Sequence, residues 1–182
     1  HDVRALRTGA LVRRFSAPAR PGSVDEVVDA FTASLSKRTR VLSFTHISNV
    51  TGLATPAAEI CAEVRRRHPG IHIHVDGAQT WGAVDVNLKT LGCDSFSASA
   101  HKWFMGPRET GLLYVDEARC AEIWPAIVSI PWFGTIEEAP KLARKFDALG
   151  QRDDAAAAAL VDAVAIHERL TPAGVEAHSK AI

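Results

Sequence analysis

Hydrophobic and polar positions along the chain follow two different periods. Apolar runs rich in β-branched residues, RVLSFTH and IHIHV, have the pattern of buried strands, whereas VDEVVDAFTASL and AAEICAEVRRR have the spacing of amphipathic helices. Ser23 is a good N-cap for the first of these helices, and Pro56 suits the first turn of the second. Helices and strands that alternate at this spacing are typical of βαβ units. We therefore predict an α/β fold, a three-layer sandwich with a mostly parallel central sheet.

The same patterns predict further elements on both sides of this region. An apolar strand is expected from Leu11 to Phe15, before the first helix, and SFSASA and GLLYV are strand candidates after IHIHV. VNLKTLG predicts a short helix or turn closed by Gly92. The alanine run 155–159 opens a helix that continues to about Leu170. No low-complexity linker divides the chain, so we expect residues 1–182 to form a single domain.

Composition and charge argue against several functional classes. The 21 basic residues cancel the 21 acidic ones, which gives no general attraction to nucleic acid or to an anionic membrane. No apolar run approaches the roughly 20 residues that span a bilayer. The three cysteines are widely spaced and odd in number, which is not typical of a disulfide framework or a zinc cluster. We therefore expect buried structural thiols and a reducing, cytoplasmic location.

Polar clusters follow three of the predicted strands. They are THISN, HVDGAQ and SASAHKW, and their candidate functional residues are Asn49, Asp76, Gln79, Ser99, His101 and Lys102. Parallel sheets bind their ligands at the carboxyl ends of the strands. The sequence therefore predicts that these clusters form one site at that edge.

The alternation of His72, His74 and Asp76 raises a second interpretation, a metal site. Side chains at every second position of a strand share one face, so these residues could point the same way. An HxHxDH metal motif needs a histidine directly after the aspartate, and Gly77 occupies that place. A metal also requires a complete set of ligands. We therefore expect no metal here and assign the function of the strand to Asp76 at its end.

The motifs HxSN, DGAQ and SxHK occur in this order, about 30 and 26 residues apart. Together they resemble the fold type I enzymes that use pyridoxal 5'-phosphate (PLP), specifically the class V aminotransferase group of cysteine desulfurases, selenocysteine lyases and isopenicillin N epimerases. The resemblance runs from about Leu11 to Val115, with a weaker extension at LGQRDD. It implies PLP as the cofactor and a PLP-binding large domain that is incomplete. The family's phosphate-loop segment would precede His1, and its small C-terminal domain would follow Ile182.

The resemblance also implies a role for each candidate residue. Lys102 would form the Schiff base with PLP, and Asp76 would keep the pyridine nitrogen protonated, as an electron sink requires. Gln79 would donate to the phenolic oxygen, and Asn49 would approach the same edge of the ring. The cofactor phosphate would be held by Ser99 and His101, whose hydroxyl and imidazole groups can donate charge-assisted hydrogen bonds.

The function implied is that of an enzyme acting on an amino acid substrate, by epimerase, C–S lyase or aminotransferase chemistry. Two alternatives remain: cysteine desulfurase-type sulfur transfer, and a non-catalytic protein that retains the fold. The family's sulfur-transfer cysteine lies well over a hundred residues beyond the lysine, whereas this chain ends 80 residues past Lys102. The resemblance also implies a homodimer in the full-length protein. Gln151 stands where related sequences have a threonine that contacts the partner's cofactor phosphate.

Overall fold

The computed structural model describes residues 2–127, 141–147 and 150–182. Its helices are α1 (Asp2–Thr8), α2 (Val24–Ala33), α3 (Ala57–Arg67), α4 (Leu88–Leu91), α5 (Glu117–Cys120), α6 (Asp154–Leu170) and α7 (Pro172–Ala181), and a 3-10 helix spans Leu142–Phe146. The strands are β1 (Val41–Thr45), β2 (His72–Asp76), β3 (Ser95–Ser99) and β4 (Gly111–Val115). Within these ranges, no helix has the length and apolar character needed to cross a membrane.

The strands form one sheet in the order β1-β2-β3-β4. β1, β2 and β3 are parallel, and β4 is antiparallel to β3. The parallel strands are joined through helices, as the alternation of patterns requires, whereas the short loop from β3 to β4 permits an antiparallel return. The predicted α/β class and mostly parallel sheet are confirmed.

Several helices begin and end at the capping residues that the sequence indicates. The Ser23 hydroxyl accepts a hydrogen bond from the Glu26 N–H at 3.1 Å and so caps α2. Pro56 directly precedes α3. Asp153 accepts from two main-chain N–H groups at the start of α6, and Gly92 takes a left-handed conformation, φ 75°, after α4.

The strand predicted from Leu11 to Phe15 is wrong. Residues 9–18 have no regular secondary structure, and Leu11 is 79% exposed. Phe15 instead packs edge-on against Phe31 of α2, with ring centroids 4.8 Å apart. An apolar run becomes a strand only if a neighbouring strand pairs with it. Here the apolar run contributes one aromatic side chain, Phe15, which packs on helix α2.

The apolar core lies between one face of the sheet and helices α2 and α3. Alternate strand residues point to this face: Leu42, Phe44, Ile73, Val75, Phe96 and Ala98. They pack with the buried side of the two helices, which includes Phe31, Ile60 and Val64. Because the strand contacts recur at every second residue, the opposite face carries the remaining side chains.

A buried carboxylate crosslinks the elements around this core. Asp94 is 5% exposed and accepts hydrogen bonds from Arg65 at 2.6 Å, from Arg119 at 3.0 Å and from the Ile73 N–H at 2.7 Å. Burial by itself raises the pKa of Asp94, but these hydrogen bonds outweigh it and the pKa lies below its usual value. Three donors thus offset the cost of burying the charge.

The opposite face of β2 and β3 is polar, and its side chains are joined by hydrogen bonds between these two strands. The Ser95 hydroxyl lies 2.8 Å from His72 Nε2 and 2.8 Å from His74 Nδ1, and the Ser97 hydroxyl lies 3.2 Å from His74 Nε2. The histidines of the metal interpretation therefore bond to serines. In the part of the chain that the structure describes, no three His, Cys, Asp or Glu side chains are grouped to hold a metal ion.

Burial of His72, His74 and the nearby His46, which follows β1, predicts a stability that depends on pH. Burial lowers the pKa values of His46, His72 and His74 below the usual 6.5. The unfolded chain then binds more protons than the folded chain as the pH falls through about 6.5. We expect a smaller free energy of unfolding in urea at pH 5.5 than at pH 7.5. His74→Gln should reduce this difference between the two pH values, whereas His178→Gln, at an exposed position, should preserve it. The prediction is contradicted if the free energy of unfolding changes equally with pH in the two variants.

A second prediction concerns the glycine that follows β2. A Cβ at Gly77 would lie 1.7 Å from Cζ of Phe96, a core ring that is 1% exposed. Gly77→Ala should therefore lower the free energy of unfolding by about 3 kcal/mol, because the core has no room for the methyl group. Gly70→Ala is the matched control, since a Cβ there meets no atom within 4 Å. Urea denaturation checks both, and a Gly77→Ala variant as stable as Gly70→Ala would show that the core yields easily.

Candidate functional site

The carboxyl ends of β1, β2 and β3 lie at one edge of the sheet. Thr45, Asp76 and Ser97 are aligned across the three strands. Beyond the aligned residues, the His46 N–H donates to the Asp76 carbonyl at 2.9 Å, and the Gly77 N–H donates to the Ser97 carbonyl at 2.8 Å. The loops that carry the polar clusters therefore leave the sheet at the same level.

Asp76 is the last residue of β2 and leads into the loop that follows the strand. Its side chain is half-buried, and its Oδ1 accepts a hydrogen bond from the Ala78 N–H at 2.9 Å. This is the short-range bond by which an aspartate shapes a turn. The carboxylate is thereby held at the strand end by its own loop.

Gln79, in the same loop, contacts the loop that carries Lys102. The indole Nε1 of Trp103 donates to Gln79 Oε1 at 2.9 Å. Because an indole nitrogen can only donate, the amide oxygen must face Trp103, and the amide NH2 group is left to donate to another partner. Gln79 is therefore oriented as a hydrogen-bond donor beside Lys102.

Three stacked rings hold these loops against helix α6. Trp81 stacks on Phe104 with centroids 3.8 Å apart, and Phe104 stacks on His167 with centroids 4.6 Å apart and planes inclined by 5°. Gly82 permits this packing, since a Cβ there would lie 2.5 Å from the Phe104 backbone nitrogen. The stack joins the loop after β2, the loop after β3 and α6.

A cavity of about 790 Å³ lies beside these loops, within the range of small-molecule sites. Lys102, Gln79 and Trp103 line one side, and residues of α6 and α7 line the other. Helix α7 is tied to the loop after β2, because Glu176 accepts a hydrogen bond from the Asp85 N–H at 2.9 Å. The cavity combines an amine, an amide and apolar surface.

The structure places two of the six predicted site residues in the lining of one cavity. Gln79 and Lys102, which are 23 positions apart, line the same cavity. Asp76 and Ser99 are the last residues of β2 and β3, at the same edge of the sheet, and both are half-buried. His101 and Asn49 are exposed, in the loops after β3 and β1.

Sequence reasoning missed the far wall of the cavity. It is lined by His167 and Leu170 of α6, the helix that contains the alanine run, and by Val175 of α7. No motif signals these residues, because a histidine in an alanine-rich helix gives no indication of what it packs against. Only the docking of α6 and α7 against the loops reveals them.

Comparison with known proteins indicates the same family as the sequence motifs. The family described as aminotransferase class-V matches residues 4–131. An isopenicillin N epimerase from Amycolatopsis lactamdurans is 44% identical over 126 residues, which cover 69% of this chain and 31% of that protein. The chain therefore spans less than a third of the length of this curated relative.

Solved structures extend the likeness to the fold. A cysteine desulfurase from Escherichia coli gives a TM-score of 0.74 at 21% identity, over 96% of this chain and 42% of that one, which shows the fold alone. A cystine C–S lyase in complex with its product cysteine persulfide gives a TM-score of 0.66 at 30% identity, over 78% of this chain and 39% of that one. In a further structure, a variant of that lyase carries glycine covalently linked to its PLP cofactor.

These matches agree with the order of the three motifs and with the mostly parallel sheet that carries them. The family match alone covers well over half of the chain. The chain belongs to the class-V aminotransferase family.

Proposed function

We propose that this chain forms part of the cofactor-binding region of a PLP-dependent enzyme that acts on an amino acid. The observation that carries the proposal is the cavity shared by Lys102 and Gln79, at the edge of the sheet where the strand-end motifs gather. Membership of the class-V aminotransferase family supports it. A non-catalytic protein that retains the fold would have no need of an amine and an oriented amide in one cavity.

The chemical groups at this edge fit PLP. Lys102 supplies an amine for the aldehyde carbon, and the half-buried Asp76 supplies a carboxylate for the protonated ring nitrogen. The free NH2 group of Gln79 suits the phenolic oxygen, which accepts hydrogen bonds. Ser99 and His101 supply donors for the phosphate. Asn49, in the loop after β1, completes the set as a contact to the ring edge.

Bound PLP supplies an electron sink that stabilises negative charge at the α-carbon of an amino acid. The chain's own residues would hold and orient the reactants. Lys102 lines the cavity and carries an amine, which suits it to move a proton of the amino acid. The stack of Trp81, Phe104 and His167 holds the lysine loop in place, and Trp103 lines the cavity beside the lysine.

The cysteines of the chain favour epimerase, C–S lyase or aminotransferase chemistry over sulfur transfer by one of these thiols. Burial raises the pKa of Cys61 to about 12 and that of Cys93 to about 11, so both are protonated at neutral pH. Cys120 is also buried. The nucleophile of a thiol reaction is the thiolate. The 44% identity with an isopenicillin N epimerase also supports the epimerase-like branch.

We further propose that the whole protein is a homodimer in the cytoplasm. Gln151 is exposed two residues before the N-cap of α6, where the family resemblance implies a contact with the partner's cofactor phosphate. The amide of Gln151 can donate such a hydrogen bond. The three cysteines are free thiols, which suits a reducing compartment.

Reductive trapping tests the proposal at Lys102. After incubation with PLP and reduction with borohydride, we expect mass spectrometry to find one PLP-derived group, on the peptide that contains Lys102. Lys102→Ala should abolish this label, whereas Lys89→Ala, at an exposed lysine, should retain it. Labelling that spreads over surface lysines and survives Lys102→Ala would favour the non-catalytic alternative.

A second substitution tests the ring-nitrogen contact. Asp76→Asn keeps the oxygen that accepts from the Ala78 N–H, so the turn should persist, but it removes the charge that pairs with the protonated ring. A charge-assisted hydrogen bond contributes about 1.5–3 kcal/mol, so the dissociation constant for PLP should rise roughly ten- to a hundred-fold. Spectrophotometric titration measures it. Asp85→Asn, exposed in the same loop, should bind PLP like the wild type; equal affinities for both variants would remove Asp76 from the site.

A further inference from the structure

The apolar wall of the cavity is not explained by contacts to a cofactor. Trp103, Met105 and Leu170 are 55%, 56% and 52% exposed, and all three line this cavity. Single exposed apolar side chains are ordinary on protein surfaces. Three that converge beside a candidate catalytic lysine form a surface suited to an apolar ligand group.

His167 lines the same cavity and has a buried polar atom. Its side chain is 6% exposed, and in the described ranges its Nε2 has no hydrogen-bond partner. The stack on Phe104 fixes the plane of the imidazole ring. A buried polar atom without a partner is unfavourable, and a ligand atom that bonds to it would remove this penalty.

Backbone strain occurs at Met105, which lines the cavity, and at Thr171, which directly follows the lining residue Leu170. Met105 has φ 58° and Thr171 has φ 59°, values that non-glycine residues rarely adopt. Local hydrogen bonds hold both: the Met105 N–H donates to the Lys102 carbonyl at 2.9 Å, and the Thr171 hydroxyl accepts from the Gly174 N–H at 3.1 Å. Strain of this kind persists where the surrounding structure enforces it, and it is concentrated at ligand sites.

We propose that this cavity binds the side chain of the amino acid substrate, and that this side chain is bulky, mainly apolar and carries one hydrogen-bonding atom that His167 recognises. The inference rests on the proposed function, which brings the amino group of the substrate to the Lys102 end. Among the described lining residues, Lys102 is the only lysine, arginine, aspartate or glutamate, so an ionised side chain finds no salt-bridge partner of these types deeper in the cavity. His167 is a specificity-determining residue in this arrangement.

Tyrosine and phenylalanine are suitable probes because they differ by one hydroxyl group. The experiment measures calorimetric dissociation constants of L-tyrosine, L-phenylalanine, L-alanine and L-glutamate for the PLP-loaded chain, with loading at Lys102 counted by mass spectrometry. We expect L-tyrosine to bind about ten-fold more tightly than L-phenylalanine, because only its hydroxyl satisfies the buried imidazole. L-alanine and L-glutamate should bind at least about ten-fold more weakly than L-phenylalanine.

Two variants separate the parts of the inference. His167→Phe keeps a ring for the stack and removes Nε2, so the preference for tyrosine over phenylalanine should vanish while phenylalanine still binds. Leu170→Lys places a charge in the apolar wall and should weaken both aromatic ligands at least about ten-fold. Val161→Lys is its matched control on α6, at a position that is 69% exposed and outside the described lining, and should leave binding unchanged.

The outcomes distinguish this inference from the proposed function. A chain that carries PLP on Lys102 but binds L-alanine as tightly as L-tyrosine overturns the inference alone, as does a tyrosine preference that survives His167→Phe. A chain that takes up no PLP at Lys102 overturns the proposed function and the inference with it. Loading at Lys102 together with an aromatic preference that depends on Leu170 and His167 supports both.

Discussion

Gly82 lies so close to the backbone of Phe104 that a Cβ would meet its nitrogen at 2.5 Å, and this approach holds the loop after β2 against the loop after β3. The hydrogen bond from Trp103 to Gln79 and the stack of Trp81 on Phe104 join the same two loops. Gln79 and Lys102, which are carried by these two loops and are both half-buried, line one cavity. The candidate site therefore depends on close packing between two loops, and the rigid edge of the sheet positions these loops.

The faces of the sheet stabilise the fold, and its carboxyl edge carries the candidate functional groups. One face is apolar and packs on α2 and α3, and the other is lined by serines and histidines that bond to one another across strands. The ion pairs of the buried Asp94 with Arg65 and Arg119 lie near the amino ends of β2 and β3. The carboxyl ends can thus carry partly exposed polar groups, because the core and the opposite end of the sheet supply the stability.

Much of the fold could be predicted because its elements are specified locally. The period of the apolar residues identified all four strands of the observed sheet. Ser23 marked the start of α2 through a hydrogen bond within its own first turn, and Gly92 marked the end of α4 through its left-handed backbone. The failure at residues 11–15 has a tertiary cause. A strand needs a partner, and Phe15 packs on Phe31 of α2 instead. The antiparallel direction of β4 likewise depends on the short connection after β3.

The sequence by itself determined the periods, the caps and the order of polar residues after the strands, since each of these depends on residues a few positions apart. It also contained the motifs that include Asp76, Gln79 and Lys102, and these motifs indicated the family of the chain. The tertiary structure alone decided that His167 and Leu170 share a cavity with Lys102, 65 and 68 positions away in the chain. The physical reason is that helix docking is set by the packing of rings and backbones across distant segments, which no local pattern encodes.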